Sequence, residues 1–170
     1  MNYTGKELFF DSNDLIVSKT DLKGKITYAN DIFLDIAGYG EKDVIGQPHN
    51  IIRNPNMPRV IFELLWRAIS AGNEIFAFVV NSAKNGDHYW VIAHVTPSMK
   101  DGNIIGYHST RRVPDAATIR TVIEPLYTKL KSIEDSASNR KEGIQKSLDH
   151  LNTLLEEKNM SYDEFLASLN

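Results

Sequence analysis

The sequence predicts an α+β fold: a five-stranded antiparallel sheet with short helices gathered against one face, followed by further helices. One observation is the stretch Lys84-Asn85-Gly86-Asp87-His88-Tyr89-Trp90. Asn-Gly is a strong hairpin signal, because a type I′ turn needs positive φ at both central residues. Another is the run over residues 89–96, rich in aromatic and β-branched side chains, with a second turn at Asp101-Gly102 and a strand-like run after it. Strands near 75–82, 88–98 and 104–112 then form a meander. The last is the order of elements: two strands, several short helices, then three strands. The helices make the long crossover, and the sheet edge holds the two N-terminal strands. Such a layout closes a half-barrel around a space between sheet and main helix, where a concave, mostly apolar pocket belongs.

The elements follow in order. Thr4 and Glu7 have capping-box spacing, which predicts a short helix over residues 5–10. Residues 15–20 and 25–29 read as strands joined by the turn Asp21-Leu22-Lys23-Gly24. Asn30 is an N-cap for a short helix carrying Phe33, Ile36 and Ala37, ended by Gly38-Tyr39-Gly40. Residues 41–56 read as short helical turns and loop, broken by Gly46, Pro48 and Pro55. Pro58 opens the main helix, where Ile61, Leu64, Leu65, Ala68 and Ile69 recur at helical spacing. Gly72 stops it.

After Pro114 the character changes. Ile119, Val122, Ile123, Leu126, Leu130 and Ile133 form an apolar stripe, with Pro125 inside it to kink or restart the helix. A break at Ser136-Ala137-Ser138-Asn139 precedes a second stripe of Ile144, Leu148, Leu151 and Leu155. Ser161 and Glu164 have capping-box spacing before a last short helix. Two readings fit this region: a helical cap folded back on the domain, or a module that docks a partner or a second copy.

Composition narrows the function. Of 170 residues, 42% are apolar and 24% charged, and the net charge is −3. These are ordinary globular values, and no basic stripe suggests nucleic acid. Cysteine is absent, which removes disulfides, thiolate metal sites and flavin–cysteinyl photochemistry. No apolar run approaches the ~18 residues of a membrane span, and no signal-peptide centre opens the chain. The expected location is the cytoplasm, without direct membrane insertion. No G-x-S-x-G, H-E-x-x-H, P-loop or G-x-G-x-x-G pattern appears, so signal input is expected rather than catalysis.

Five segments carry a family resemblance: Thr27-Tyr28-Ala29-Asn30-Asp31, Gly46-Gln47-Pro48-His49-Asn50, Arg53-Asn54-Pro55-Asn56-Met57-Pro58, residues 84–90, and Gly106-Tyr107. In this order and spacing they resemble a PAS domain. More narrowly, they are similar to the flavin-binding PAS domain of aerotaxis and energy-taxis receptors, the Aer type. Ile123-Glu124-Pro125-Leu126-Tyr127 matches the helix that follows such domains. The boundaries implied are an N-terminal cap over 1–13, a PAS sensor over 14–114 and a C-terminal helical region over 115–170. The chain looks like the soluble PAS partner of bipartite energy-taxis systems. There the output lies in a separate membrane protein of the methyl-accepting chemotaxis type. PAS domains resembling this one often form homodimers.

The resemblance also implies a cofactor, FAD. The family segment Arg-His-Pro-Asp-Met-Pro carries FAD-linked residues at its first, second and fourth positions. Here those positions hold Arg53, Asn54 and Asn56. The two asparagines keep hydrogen-bonding capacity but lose an ionisable ring and a carboxylate. His49, Trp66, Asn81, Tyr89 and Trp90 also match, whereas a family tryptophan is replaced by Ile75. The residue chemistry agrees with a flat, aromatic guest edged by donors and acceptors. Trp66, Phe76, Phe78 and Trp90 can wall it, Asn81 can read its edge, and Arg53 can face negative charge on a reduced ring or a pyrophosphate. Competing roles exist for each: core packing for Trp66, a plain strand position for Asn81, a surface ion pair for Arg53, an ordinary loop position for His49. Two other functions therefore stand beside a redox or oxygen sensor: a cofactor-free interaction or dimerisation module, and a haem-binding sensor with His49 as axial ligand.

Overall fold

A computed structural model describes residues 4–169, so the first three residues of the N-terminal cap lie outside the described residues. The chain runs β1 (Ile16–Thr20), β2 (Ile26–Ala29), α1 (Asp31–Ala37), α2 (Glu41–Val44), a 3₁₀ turn (His49–Ile52) and α3 (Arg59–Ser70). Then come β3 (Ile75–Ser82), β4 (His88–Lys100) and β5 (Asn103–Arg112). All five strands pair antiparallel in the order β2-β1-β5-β4-β3, so the two N-terminal strands do occupy one edge.

Local chemistry explains the element ends. Asn30 caps α1 by accepting from the Phe33 amide (3.1 Å), and the same side chain accepts from Val17 N–H (2.9 Å) and donates to the Leu15 carbonyl (2.7 Å). One amide thus sets the helix start and ties it to β1. The expected type I′ turn sits elsewhere than predicted. Asn85 keeps a negative φ, and only Gly86 (94°) enters the left-handed region, so the β3–β4 turn is closed by a single left-handed glycine. The two-residue turn at Asp101 (49°) and Gly102 (78°) is the one with positive φ at both positions.

The helix predicted over residues 5–10 does not form. The segment is irregular, and Glu7 bridges in parallel to His88: Leu8 N–H donates to the His88 carbonyl (2.7 Å), and His88 N–H donates to the Lys6 carbonyl (2.9 Å). The Thr4 hydroxyl donates to the Asp87 carboxylate instead of capping a helix. Tertiary strand pairing outweighs a local cap in so short a segment.

Beyond the sheet lie α4 (Ala116–Thr118), a π turn (Ile119–Ile123), α5 (Glu124–Ser136), α6 (Arg140–Lys158) and α7 (Tyr162–Ala167). Pro125 falls in the first turn of α5, where its missing N–H costs nothing, so the helix restarts there as expected. Of the two readings of this region, the structure has the folded-back cap: α5 and α6 pack on each other and on α3, and α7 packs on β3. Gly143 permits the close approach of α6, because a Cβ there would lie 2.7 Å from the Glu134 carbonyl oxygen.

Candidate functional site

Strand alternation sorts the sheet residues into two faces. Opposite pairs Asn81–Tyr89, Val79–Val91 and Ala77–Ala93 share one face, and Val80–Trp90, Phe78–Ile92 and Phe76–His94 share the other. The first face and α3 enclose a cavity of about 250 Å³. Its apolar wall includes Ile52, Phe62, Leu65, Trp66, Ile69, Val79, Ala93, Val95 and Tyr107. Its polar lining includes Ser18, His49, Arg53, Asn81, Ser109 and Arg111.

Four of the expected residues meet here. Trp66 is 40% exposed and stands edge-on to Tyr107, with centroids 5.4 Å apart, so it walls the cavity near solvent. Arg53 follows the 3₁₀ turn and lays its guanidinium over the Phe62 ring at 4.3 Å. Burial, then the charges of Arg140 and Arg59, lower its proton affinity. Its backbone bridges to Asn81, and the Asn81 Nδ2 is buried with no hydrogen-bond partner among the described residues. His49 Nε2 lies 3.0 Å from Ser18 Oγ and 2.7 Å from Arg111 Nη2. Burial and the Arg111 charge push His49 down to about 3, so it is neutral and accepts at Nε2.

The other four do not reach this lining. Tyr89 points from the cavity face but is fully buried behind the lining, its hydroxyl also unpartnered. Asn54 is fully buried and spends its amide on the protein, donating to Ser82 Oγ (3.1 Å) and accepting from Asn56 N–H (2.9 Å). Asn56 and Trp90 line a second cavity of about 170 Å³ on the opposite face, against α5. Phe76 and Phe78 also lie on that opposite face, where Phe76 stacks on His94. The physical reason is the period of two along a strand, which places neighbours such as Tyr89 and Trp90 on opposite sides.

Sequence reading missed the dominant charge. Arg111, on β5, is 4% exposed and donates from Nη2 to Ser18 Oγ (2.9 Å), while Nη1 has no partner among the described residues. No described carboxylate pairs with it. Burial lowers it to about 10, so it stays a cation at neutral pH. The signal was period two from Tyr107 through Ser109 to Arg111, which puts the arginine on the sheltered face.

A buried cation without a counter-charge is costly, and unsatisfied buried donors are rare in folded proteins. Asn81 Nδ2, Ser109 Oγ and Arg111 Nη1 are three such atoms on residues of one cavity. They fit a guest that is flat and apolar across its faces and carries acceptors along its edge. An isoalloxazine ring has that donor–acceptor chemistry.

A model of the PAS fold matches residues 6–110. The chain belongs to the PAS family. Over 117 residues it is 42% identical to the aerotaxis receptor of Escherichia coli (strain K12), an alignment covering 69% of this chain and 23% of the receptor. Over 109 residues it is 27% identical to the nitrogen fixation regulatory protein of Klebsiella pneumoniae, covering 62% and 22%. The chain thus spans about a quarter of the length of these relatives. The light-state structure of the blue-light photoreceptor Aureochrome1 LOV superposes with a TM-score of 0.58 at 18% identity, covering 67% of this chain and 91% of that one. That likeness establishes the PAS architecture. No described helix is long and apolar enough to cross a membrane, and no described cluster of His, Asp and Glu can hold a metal ion.

Proposed function

We propose that this PAS domain is a cytoplasmic redox or oxygen sensor that holds FAD in the cavity between β-sheet and α3. It relays electron-transport or oxygen status to a membrane signalling protein of the methyl-accepting chemotaxis type, singly or as a homodimer. The observation that carries the reading is the trio of buried, unpartnered donors on Asn81, Ser109 and Arg111. The identity with an aerotaxis receptor supports it. FAD would supply reversible electron transfer, a chemistry the side chains lack.

The residues divide the work. Asn81, Ser109 and Arg111 present donors to acceptors at the edge of the guest. Arg111 and Arg53 favour extra negative charge in the cavity, because a cation in a poorly solvated site acts more strongly than in water. His49 stays neutral and orients Arg111. Trp66 and Phe62 exclude water from the ring faces. A charge gained in the cavity then strains the hydrogen bonds of Arg111 to Ser18 and His49, on β1 and the 3₁₀ turn, which gives the sheet two states to choose between.

A specific observation favours the cofactor-free module: Asn54 and Asn56 turn from the cavity, whose volume falls just under the ~300–1,000 Å³ common for small-molecule sites. Haem is disfavoured, since His49 Nε2 already faces Arg111 and Ser18. Absorbance of freshly purified protein, with mass spectrometry of any released molecule, decides among them. Flavin bands that disappear in Arg111→Met and weaken in Arg53→Ala are expected. A colourless protein that cannot be reconstituted with FAD overturns the proposal, and a Soret band lost in His49→Ala replaces it with haem.

A further inference from the structure

Glu134 interrupts the apolar stripe of α5, yet it is 3% exposed. Its two carboxylate oxygens accept from the amides of Arg59 (2.9 Å) and Val60 (2.8 Å). These are the first amides of α3, which have no partner within their own helix. Pro58, at the N-cap, offers no side-chain acceptor. The cap comes instead from a residue 75 positions away, and its negative charge suits the helix start. This is the helix that presents Phe62, Leu65 and Trp66 to the cavity.

Two turns earlier on the same face of α5, the Tyr127 hydroxyl donates to the Phe78 carbonyl at 2.6 Å. Phe78 lies on β3 next to Val79, a lining residue. Leu130, between the two grips, is fully buried. A single helical face therefore holds both walls of the cavity, the start of α3 and the backbone of β3. Glu134 also acts on Arg53, opposing the burial and the Arg140 and Arg59 charges that lower its proton affinity.

We propose that α5 is a two-point reader of the cavity, with Glu134 and Tyr127 as its grips. A guest that shifts α3 relative to β3 moves the two grips differently and biases the docking of the α5–α6 hairpin. A guest that favours the docked hairpin is, by linkage, favoured by it to the same factor, so a variant that loses this coupling holds the guest more weakly. The inference takes from the proposed function only that the cavity accepts a ligand.

Hydrogen exchange read by mass spectrometry, with and without FAD, tests this on the full chain, on Glu134→Gln and on Tyr127→Phe, alongside FAD titration. Expected in the unaltered chain is slowed exchange over residues 124–136 as well as at the cavity walls. Each variant is expected to bind FAD about fivefold or more weakly and to lose the α5 response. FAD affinity within about twofold of the unaltered chain in both variants, or an α5 that FAD does not touch, overturns the reader. Tyr127→Phe carries the test if Glu134→Gln does not fold. If the unaltered chain takes up no FAD, the flavin reading falls separately, and the ligand-free variants decide. Faster exchange over both 61–69 and 79–81 then supports the reader; faster exchange confined to the C-terminal helices overturns it.

Discussion

The two faces of this sheet solve different problems with adjacent residues. On the face toward α5, Phe78, Val80, Trp90 and Ile92 alternate as large apolar groups, and Trp90 meets Tyr127 at 5.9 Å. Burial there stabilises the fold. On the face toward α3, the small Ala77 and Ala93 leave space, and Asn81, Ser109 and Arg111 each keep a polar atom with no partner among the described residues. Burial of those donors costs stability. The face toward α5 is the more apolar, its cavity of about 170 Å³ being the smaller, whereas the face toward α3 leaves about 250 Å³ lined by buried donors, as expected of a site that must accept a guest.

Substitutions on each face should separate these roles. Trp90→Ala is expected to lower unfolding free energy by about 3–5 kcal/mol in urea titration while leaving the flavin content of the folded fraction unchanged. Arg111→Met should do the reverse. The ligand-free chain becomes as stable or more so, by up to about 1–4 kcal/mol, because an unpaired buried cation is removed, while flavin absorbance is lost. Destabilisation by this variant would remove the claim that burial of those donors costs stability.

The pH dependence of stability sharpens the same contrast. His49 titrates at about 3 in the fold against an ordinary 6.5. As pH falls below about 6.5 the unfolded chain takes up this proton and the folded chain does not. The contribution of His49 is therefore complete above that pH and declines by about 1.4 kcal/mol per pH unit toward the folded value. Unfolding measured across this window should show the stability of the protein falling relative to that of His49→Gln as pH drops; parallel curves contradict a neutral, buried imidazole. The smallest effect is expected for Asn56→Ala, within about 0.5 kcal/mol in stability and without change in flavin content. A loss of flavin there would return Asn56 to the site.

Much of this architecture was legible beforehand. The strand runs, the Asn30 cap, the α3 start at Pro58 and the restart at Pro125 each follow from local chemistry. Half of the expected site residues reached the cavity: His49, Arg53, Trp66 and Asn81. Trp90 and Phe78 did not, since the choice of face depends on strand phase, and one residue of phase exchanges the faces. Asn54 failed for another reason, because a short polar side chain is easily taken up by its own turn and by Ser82. The helix predicted near residue 5 lost to pairing with His88.

The sequence by itself determined the strands, the helices and the PAS order, since those rest on period, cap and turn residues a few positions apart. Only the tertiary structure decided that Arg111 meets a neutral His49 and no carboxylate among the described residues, that Asn81 faces a hollow, and that Glu134 begins a helix far from it in the chain. Burial and hydrogen-bond partnership are properties of residues brought together across the fold. A carboxylate in an apolar stripe reads as an exposed edge until the amides it satisfies are in place.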